Sequence, residues 1–315
     1  MKKLLTIIAS ILLVCSLRGQ TKVTFYPQWT PQAQFAGFYV AYEKGFFADE
    51  GLDVEIRHLG LNSTESLEDV LVSGKAQIIG QQLLKSIIAR ADGKDMVNVM
   101  QITQKSGLCC VSHDPISSFE ELDGKKVGRW KAGFSEICDI MEAEKGVNAD
   151  WIPFINGSNL YIFGAVDATL CYSYNELLTL ELAIGEIPQD HIIWFADNGY
   201  TCPEDGLYVT GDYYRDNKDT VEKFVRASKR GWDYAREHQD EALDITYGYI
   251  NAAHVLTNVV HEREMLKQYL NLQVNPATGE ADYAPVSREV FDQLCRQLLE
   301  TGYIVAEPDY NTMIR

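Results

Sequence analysis

The sequence predicts an α/β protein of two units, each a largely parallel sheet flanked by helices. Three observations carry this reading. Strand-like and helix-like segments alternate from residue 22 onward, the order that builds parallel sheets covered on both faces. Of the 315 residues, the first 20 read as a leader, and the remaining 295 exceed one typical hydrophobic core. No Pro/Ser-rich linker, low-complexity segment or solenoid-period repeat interrupts the chain, so the units must be joined by ordinary short crossovers.

The leader is residues 1–20. Lys2 and Lys3 precede an apolar run from Leu4 to Val14, followed by Ser16 and Gly19, the pattern of a secretory signal. That run is too short to span a membrane comfortably. Val14 stands before Cys15, where lipoprotein signals carry Gly, Ala or Ser. A soluble protein, periplasmic or otherwise exported, is therefore expected, with a lipid anchor at Cys15 as the disfavoured alternative.

The elements follow in order. "KVTFY" is a strand, and "FAGFYVAYEKG" a helix on which Phe38, Ala41, Tyr42 and Gly45 share a stripe widened by Tyr39 and Val40. Gly45 loosens its last turn and Gly51 allows a tight one. Leu52, Val54 and Ile56 then alternate with Asp53, Glu55 and Arg57, as in a half-buried strand. Asn62 and Glu65 are placed to cap a helix carrying Leu67, Val70 and Leu71, and Gly74 ends it. "AQIIG" reads as a buried strand and "QQLLKSIIARADG" as a helix with Leu84, Ile87 and Ile88 on one face. "MVNVMQITQ" and "LCCVS" are strands.

A new unit opens at "SFEELDGKKVGRW": a short helix, a turn at Asp123-Gly124 and a strand from Lys126 to Trp130. A helix from Ser135 to Lys145, a strand from Trp151 to Phe154, "VDATLCYSY", a helix from Asn175 to Ile184 and "HIIWFAD" complete it. "GLYVTGDYY" returns the chain to a mainly helical end. Its clearest helix places Val221, Phe224, Val225, Ser228, Trp232 and Ala235 on one face, with Asp219 and Glu222 as a capping box. On these grounds the chain divides after residue 111 and after residue 205.

Composition excludes several function classes. Net charge is −17, and −20 once Lys2, Lys3 and Arg18 leave with the leader, the opposite of what an unselective nucleic-acid binder needs. Cys109, Cys110, Cys138, Cys171, Cys202 and Cys295 show no CxxC or His-x-Cys spacing for zinc. Scattered buried thiols are expected, with one disulfide left open by the oxidising compartment. Adjacent Cys109 and Cys110 should point to opposite sheet faces. His58, His113, His191, His238, His254 and His261 never stand i,i+4 on one face, so no metal site is expected. GxSxG, GxxxxGK[ST] and HExxH are all absent.

The loop "YPQWTPQAQF" is the most informative stretch. Pro27 and Pro31 stiffen a strand-to-helix connection and hold Trp29, Gln32, Gln34 and Phe35 at a helix N-terminus. Ligands of open α/β sheets collect outside the carboxyl ends of the strands. There this loop offers an aromatic plate and amide hydrogen-bonders with no acid–base pair, which suits capture and not chemistry. The plainer alternative makes Trp29 a lid on the local core.

The segments "WTPQAQFAGFYVAYEKGFFADEGLDVEI", "SGKAQI", "QKSGL", "ELDGKKVGRW", "VDATLCYSYNEL" and "EDGLYVTGDYYRDNKDTVEKFVRASKRGWDYA" occur in the order of one family. From about Lys22 to Ala242 the chain resembles ABC-transporter solute-binding proteins of the nitrate/sulfonate/taurine and thiamine-pyrimidine-precursor branch, which includes the thiamine pyrimidine synthases. The resemblance implies the two-lobed type II periplasmic binding protein fold, with 21–111 plus 206–315 as lobe one, 112–205 as lobe two, and a ligand cleft between lobes joined by two crossovers. It implies an ABC permease in the inner membrane as partner, a small-molecule ligand, no cofactor and a monomer. The synthase members hold pyridoxal phosphate on a lysine, consume a histidine one turn later and carry a CCCFC stretch. Those positions fall here on Gln81, Lys85 and the surroundings of Cys202, so an enzyme is not expected.

The resemblance further makes "YSYNEL" the second wall of the cleft. Tyr172 and Tyr174 would sandwich a ring, and Glu176 would accept the proton bonds of an amine. Alternatively, Asn175 caps the helix and Glu176 favours its dipole. The candidate ligand contacts are Trp29, Gln34, Phe35, Gln81, Trp130, Tyr172, Tyr174, Asn175, Glu176 and Asp205. The expected cargo is a planar heterocycle, foremost a thiamine-pyrimidine precursor. Riboflavin and a sulfonate-type anion are the alternatives, the anion kept open by Arg129 and Lys131 although the first loop has no basic residue.

Overall fold

A computed structural model describes residues 19–60, 63–131, 136–155 and 158–315. The signal through residue 18 with Cys15, the cap at Asn62 and the helix start at Ser135 lie outside the described residues.

Two five-stranded sheets organise the chain. The first contains β1 (Thr21–Tyr26), β2 (Leu52–Ile56), β3 (Ile78–Gln82), β4 (Val97–Gln101) and β10 (Asp205–Val209), in the order β2-β1-β3-β10-β4. The second contains β5 (Leu108–Ser112), β6 (Lys126–Trp130), β7 (Asp150–Phe154), β8 (Ala168–Tyr172) and β9 (Ile192–Trp194), in the order β7-β6-β8-β5-β9. Each sheet is parallel apart from one reversed strand, β10 in the first and β5 in the second. The reversed strands are the ones that follow a crossing between sheets. Strands β1, β3, β6 and β8 end at the rim between the sheets, so a chain crossing there starts its next strand from that rim and runs away from it.

The crossings are residues 102–107 and 195–204. Strand β5, cut by the expected boundary at 111/112, therefore lies wholly in the second sheet, and Asp205 belongs to the first.

Helices cover both faces. They are α1 (Ala36–Glu43), α2 (Phe46–Asp49), α3 (Leu67–Val72), α4 (Leu83–Ala91), α5 (Glu136–Lys145), α6 (Asn159–Ile162), α7 (Glu176–Ile184), α8 (Gly211–Asp216), α9 (Lys218–Glu237), α10 (Gln239–Ala252), α11 (Val259–Leu272), α12 (Arg288–Glu300) and α13 (Tyr310–Met313). Helix α1 is buried along Phe38 to Ala41, while Tyr42, expected on the apolar stripe, is exposed. It crosses α9 at very short range: a Cβ on Gly37 would stand 2.1 Å from Trp232 Cδ2, and one on Gly231 2.1 Å from the Gly37 carbonyl. Phe47 stacks on Phe224, ring centres 4.8 Å apart, joining α2 to the same core.

Three local expectations change. Gln81 and Gln82 continue β3, because they pair with Gly206 and Asp205 of β10, and helix α4 starts only at Leu83. Ser66 caps α3 by accepting the Asp69 N–H at 3.1 Å. Asp219 does not cap α9, since the helix begins a residue earlier; it pairs instead with Lys223 one turn on. All six described cysteines are free thiols, Cys202 half-buried and the others buried. Cys109 and Cys110 do face opposite sides, each joining a different apolar cluster. No described helix is long and apolar enough to cross a membrane.

Candidate functional site

The first wall is the loop between β1 and α1. Gln28, Trp29, Gln32 and Gln34 line a cleft of about 370 Å³ at the rim between the sheets. Asp205, at the rim end of β10, anchors them. It accepts hydrogen bonds from Gln28 Nε2, from Gln34 Nε2 at 2.6 Å and from the Tyr269 hydroxyl of α11 at 2.6 Å. Gln32 Nε2 in turn donates to Gln34 Oε1. Burial raises the Asp205 carboxyl above its ordinary range, and these three donors pull it back. Asp205, an expected ligand contact, does not itself line the cleft and acts on it by aiming Gln28 and Gln34.

His58 fixes the backbone of the same loop. Its Nδ1 donates to the Trp29 carbonyl, which leaves Nε2, 3.0 Å from the Tyr39 hydroxyl, to accept. Burial lowers its pKa to about 4, so the neutral ring holds this geometry near neutral pH.

The second wall comes from the ends of β6 and β8 and the start of α7. Trp130 and Tyr172 lie 5.1 Å apart at 32°, and Tyr172 stacks on Tyr174 at 5.4 Å and 23°. Tyr174 meets Tyr269 edge-on at 5.4 Å. Glu176 is buried: Oε2 accepts the Tyr172 N–H and Oε1 the Asn175 amide, each at 3.1 Å. Burial raises its pKa. Asn175 occupies the N-cap position of α7, yet its side chain makes no cap bond and turns to Glu176 instead. The two walls touch directly, for Gln82 Nε2 at the end of β3 donates to the Tyr172 hydroxyl at 2.7 Å.

Of the expected contacts, Trp29, Gln34, Trp130, Tyr172, Tyr174, Asn175 and Glu176 line this one cleft. Phe35 does not; it is buried in the core and packs on His58. Gln81 does not either, because alternation along β3 turns it toward Glu68, to which it donates at 2.8 Å, while Gln82 faces the cleft. Gln28 and Gln82 were missed, and Gln32, though singled out in the loop, was left off the contacts. Gln28 and Gln32 lie in the quoted loop, but nothing in the sequence shows which face of β3 meets the rim.

Among the described residues no Lys, Arg or His lines the inner cleft, and Glu176 is its one carboxylate. Arg129 is directed to Asp139 at 2.6 Å and lies over the Trp151 ring, away from the cleft. Lys131 lines an outer hollow of about 870 Å³ that shares Gln28, Trp29 and Trp130 with the inner cleft. The residues at the synthase positions do not fit pyridoxal phosphate. The Gln81 amide cannot form an imine and is tucked against Glu68, and Cys202 is a lone half-buried thiol. Among the described residues no His/Cys/Asp/Glu group could hold a metal ion.

Beneath the cleft, Glu204 bridges the two crossings. Its Oε1 accepts the Gly107 N–H at 2.6 Å and the Ser106 hydroxyl at 3.1 Å, and Oε2 has no hydrogen-bond partner. Thr103 Oγ1 accepts the Glu204 and Asp205 N–H groups at 2.8 and 3.0 Å. Burial, with the Asp205 charge second, raises Glu204 to about 8, so it is largely protonated at pH 7.

The model of the family described as NMT1/THI5 like matches residues 32–242, more than half of the chain. The chain belongs to the NMT1/THI5-like family. Relatives with different printed descriptions match it. It is 27% identical over 237 residues to the 4-amino-5-hydroxymethyl-2-methylpyrimidine phosphate synthase of Candida albicans, covering 70% of this chain and 69% of that protein. It is 25% identical over 268 residues to the riboflavin-binding protein RibY of Chloroflexus aurantiacus, covering 82% and 75%. Among solved structures, the periplasmic aliphatic sulphonate binding protein SsuA from Escherichia coli superposes with a TM-score of 0.68 at 13% identity, covering 93% of this chain and 97% of that one. The fold is thus the two-lobed periplasmic binding protein fold.

Proposed function

We propose that this protein is the exported solute-binding component of an ABC importer, and that it captures a small planar heterocycle, first of all a thiamine-pyrimidine precursor. Each sheet is the core of one lobe, and the monomer hands its ligand to a permease. The observation that carries the reading is the inner cleft itself: a Trp/Tyr/Tyr plate faces a glutamine loop, with a buried carboxylate and no cation among the described liners. Aromatic faces favour planar rings. A carboxylate favours ring or amine N–H donors, and opposes an anion. The proposed contacts are Trp29, Gln34, Trp130, Tyr172, Tyr174 and Glu176, with Gln28, Gln32 and Gln82 added.

The relatives include a synthase, and an enzyme remains the reading to test against. A riboflavin ligand is the second reading, favoured by the outer hollow beyond Trp29 and Trp130, which offers room for a longer molecule, and by the relative RibY. The test is a thermal-shift screen of refolded, ligand-stripped protein with 4-amino-5-hydroxymethyl-2-methylpyrimidine, riboflavin and an alkanesulfonate, followed by calorimetry. Stabilisation by the pyrimidine supports the first reading, and stabilisation by riboflavin alone replaces it with the second. A shift with the sulfonate only would overturn the heterocycle assignment. An absorbance band from covalently held pyridoxal phosphate would restore the enzyme.

A further inference from the structure

The start of α11 touches both walls of the cleft through two consecutive residues. Glu262 holds the first wall: Oε2 accepts the Ala33 N–H at 2.7 Å, and Oε1 the Thr257 hydroxyl at 2.7 Å. His261 reaches the second wall, its Nε2 standing 3.1 Å from Asn175 Oδ1. Both side chains are buried, and the turn that carries them is closed by Asn258, whose Oδ1 accepts the His261 N–H at 2.9 Å. Farther along, Tyr269 of the same helix binds Asp205 of the first sheet. Helix α11 is therefore tied to the first lobe at two points and meets the second lobe at Asn175, by a hydrogen bond, and at Tyr174, by the edge-on ring contact of Tyr269.

The proton in the His261–Asn175 bond can be placed from its surroundings. Asn175 Nδ2 donates to Glu176 Oε1, so Oδ1 is an acceptor and His261 Nε2 must carry the hydrogen. The chain of bonds runs from His261 through Asn175 to Glu176 and on to the Tyr172 backbone. A hinge motion that parts the walls must break the first of these bonds, since its donor and acceptor sit on opposite lobes. Glu262 keeps the donor in register with the glutamine loop while this happens.

We infer that His261 is a closure latch: it positions Asn175, and through it Glu176, and sets the balance between closed and open lobes. It acts through Asn175 and lines no part of the cleft, so it is a positioning residue. The inference rests on the solute-binding reading for its purpose, but the latch can be measured without any ligand.

Spin labels on Asp53→Cys and Asp150→Cys, exposed positions on the edge strands β2 and β7 of the two sheets, report lobe separation by double electron–electron resonance in a Cys202→Ser background. The ligand-free protein should show a closed separation. His261→Ala should lower the closed-to-open ratio about fivefold, the equivalent of one net hydrogen bond. His261→Gln, whose amide can donate to Asn175, should restore most of it. Asn175→Ala should match His261→Ala, and the double variant should lose no more than either single one. An unchanged ratio in His261→Ala, additive losses in the double variant, or a parent protein that never shows the closed separation would each overturn the latch. Addition of 1 mM 4-amino-5-hydroxymethyl-2-methylpyrimidine separates the two readings. If it shifts no variant while His261→Ala still differs from the parent, the assigned solute is wrong and the latch stands.

Discussion

Replacing Glu176 by Gln distinguishes a heterocycle from an anion. In the structure the carboxylate accepts the Tyr172 N–H on Oε2 and the Asn175 amide on Oε1, each at 3.1 Å, and the Trp130 side chain also bonds it. A ligand N–H would share the carboxylate with these donors. The Gln variant removes the charge and turns one of these acceptors into a donor. A hydrogen bond to a charged group contributes about 1.5 to 3 kcal/mol, so affinity for an amine-bearing ring should fall by about one to two powers of ten. The fold should tolerate the change at about 1 kcal/mol, because the Asn175 amide can turn over and His261 can exchange tautomers to meet it. Calorimetry with 4-amino-5-hydroxymethyl-2-methylpyrimidine measures the first quantity, and urea unfolding measures the second. There is also a pH signature. Burial raises the Glu176 pKa, so wild-type affinity should decline as pH falls through that raised value, whereas the Gln variant should show no such step. Equal or tighter binding by the variant would refute the carboxylate's role and, with it, the aminopyrimidine assignment.

The remaining expectations address the rest of the cleft and core. Trp29→Ala should weaken ligand binding by about 1 to 3 kcal/mol, the scale of an aromatic stacked on a base, with an unchanged melting temperature; unchanged affinity in titration would return Trp29 to the local core. Glu204 keeps its proton up to about pH 8 in the folded protein and only to about 4.3 in the unfolded chain. Its contribution to stability is therefore complete at acid pH and lost as pH rises toward 8. Glu204→Gln, which mimics the protonated acid, should flatten the fall in melting temperature between pH 5 and 8, and parallel curves for the two proteins would argue against a protonated Glu204. Gly37→Ala drives a methyl group to 2.1 Å from the Trp232 ring and should cost about 1 to 3 kcal/mol by overpacking. Urea unfolding with an unchanged midpoint would show that α1 and α9 are not held in this close crossing.

The cleft was partly legible before any coordinates. The loop from Pro27 to Gln34 announces itself because two prolines and an aromatic between a strand and a helix have few other uses. Tyr172, Tyr174 and Glu176 came through resemblance, and the structure brings them to the same cleft as Trp29. Phe35 and Gln81 were misplaced for one reason. Each sits beside a residue that does face the cleft, and a single step along a strand or turn reverses the side-chain direction. Arg129 looked available to an anion only until its partner Asp139, ten residues on, was seen.

By itself the sequence determined the elements and their class, because hydrophobic period and turn residues act over a few neighbours. Alternating strands and helices were enough for mostly parallel sheets. Tertiary structure decided everything that joins distant residues. Strand β10 returns from residue 205 to pair with β3, which is why Gln82 and not Gln81 looks into the cleft. Asp205 collects Gln28, Gln34 and Tyr269 from three segments, and His261 meets Asn175 across 86 positions of chain. Such contacts have no local signature, since a hydrogen bond or a packed ring depends on where two backbones meet in space, and that is set by the whole core at once.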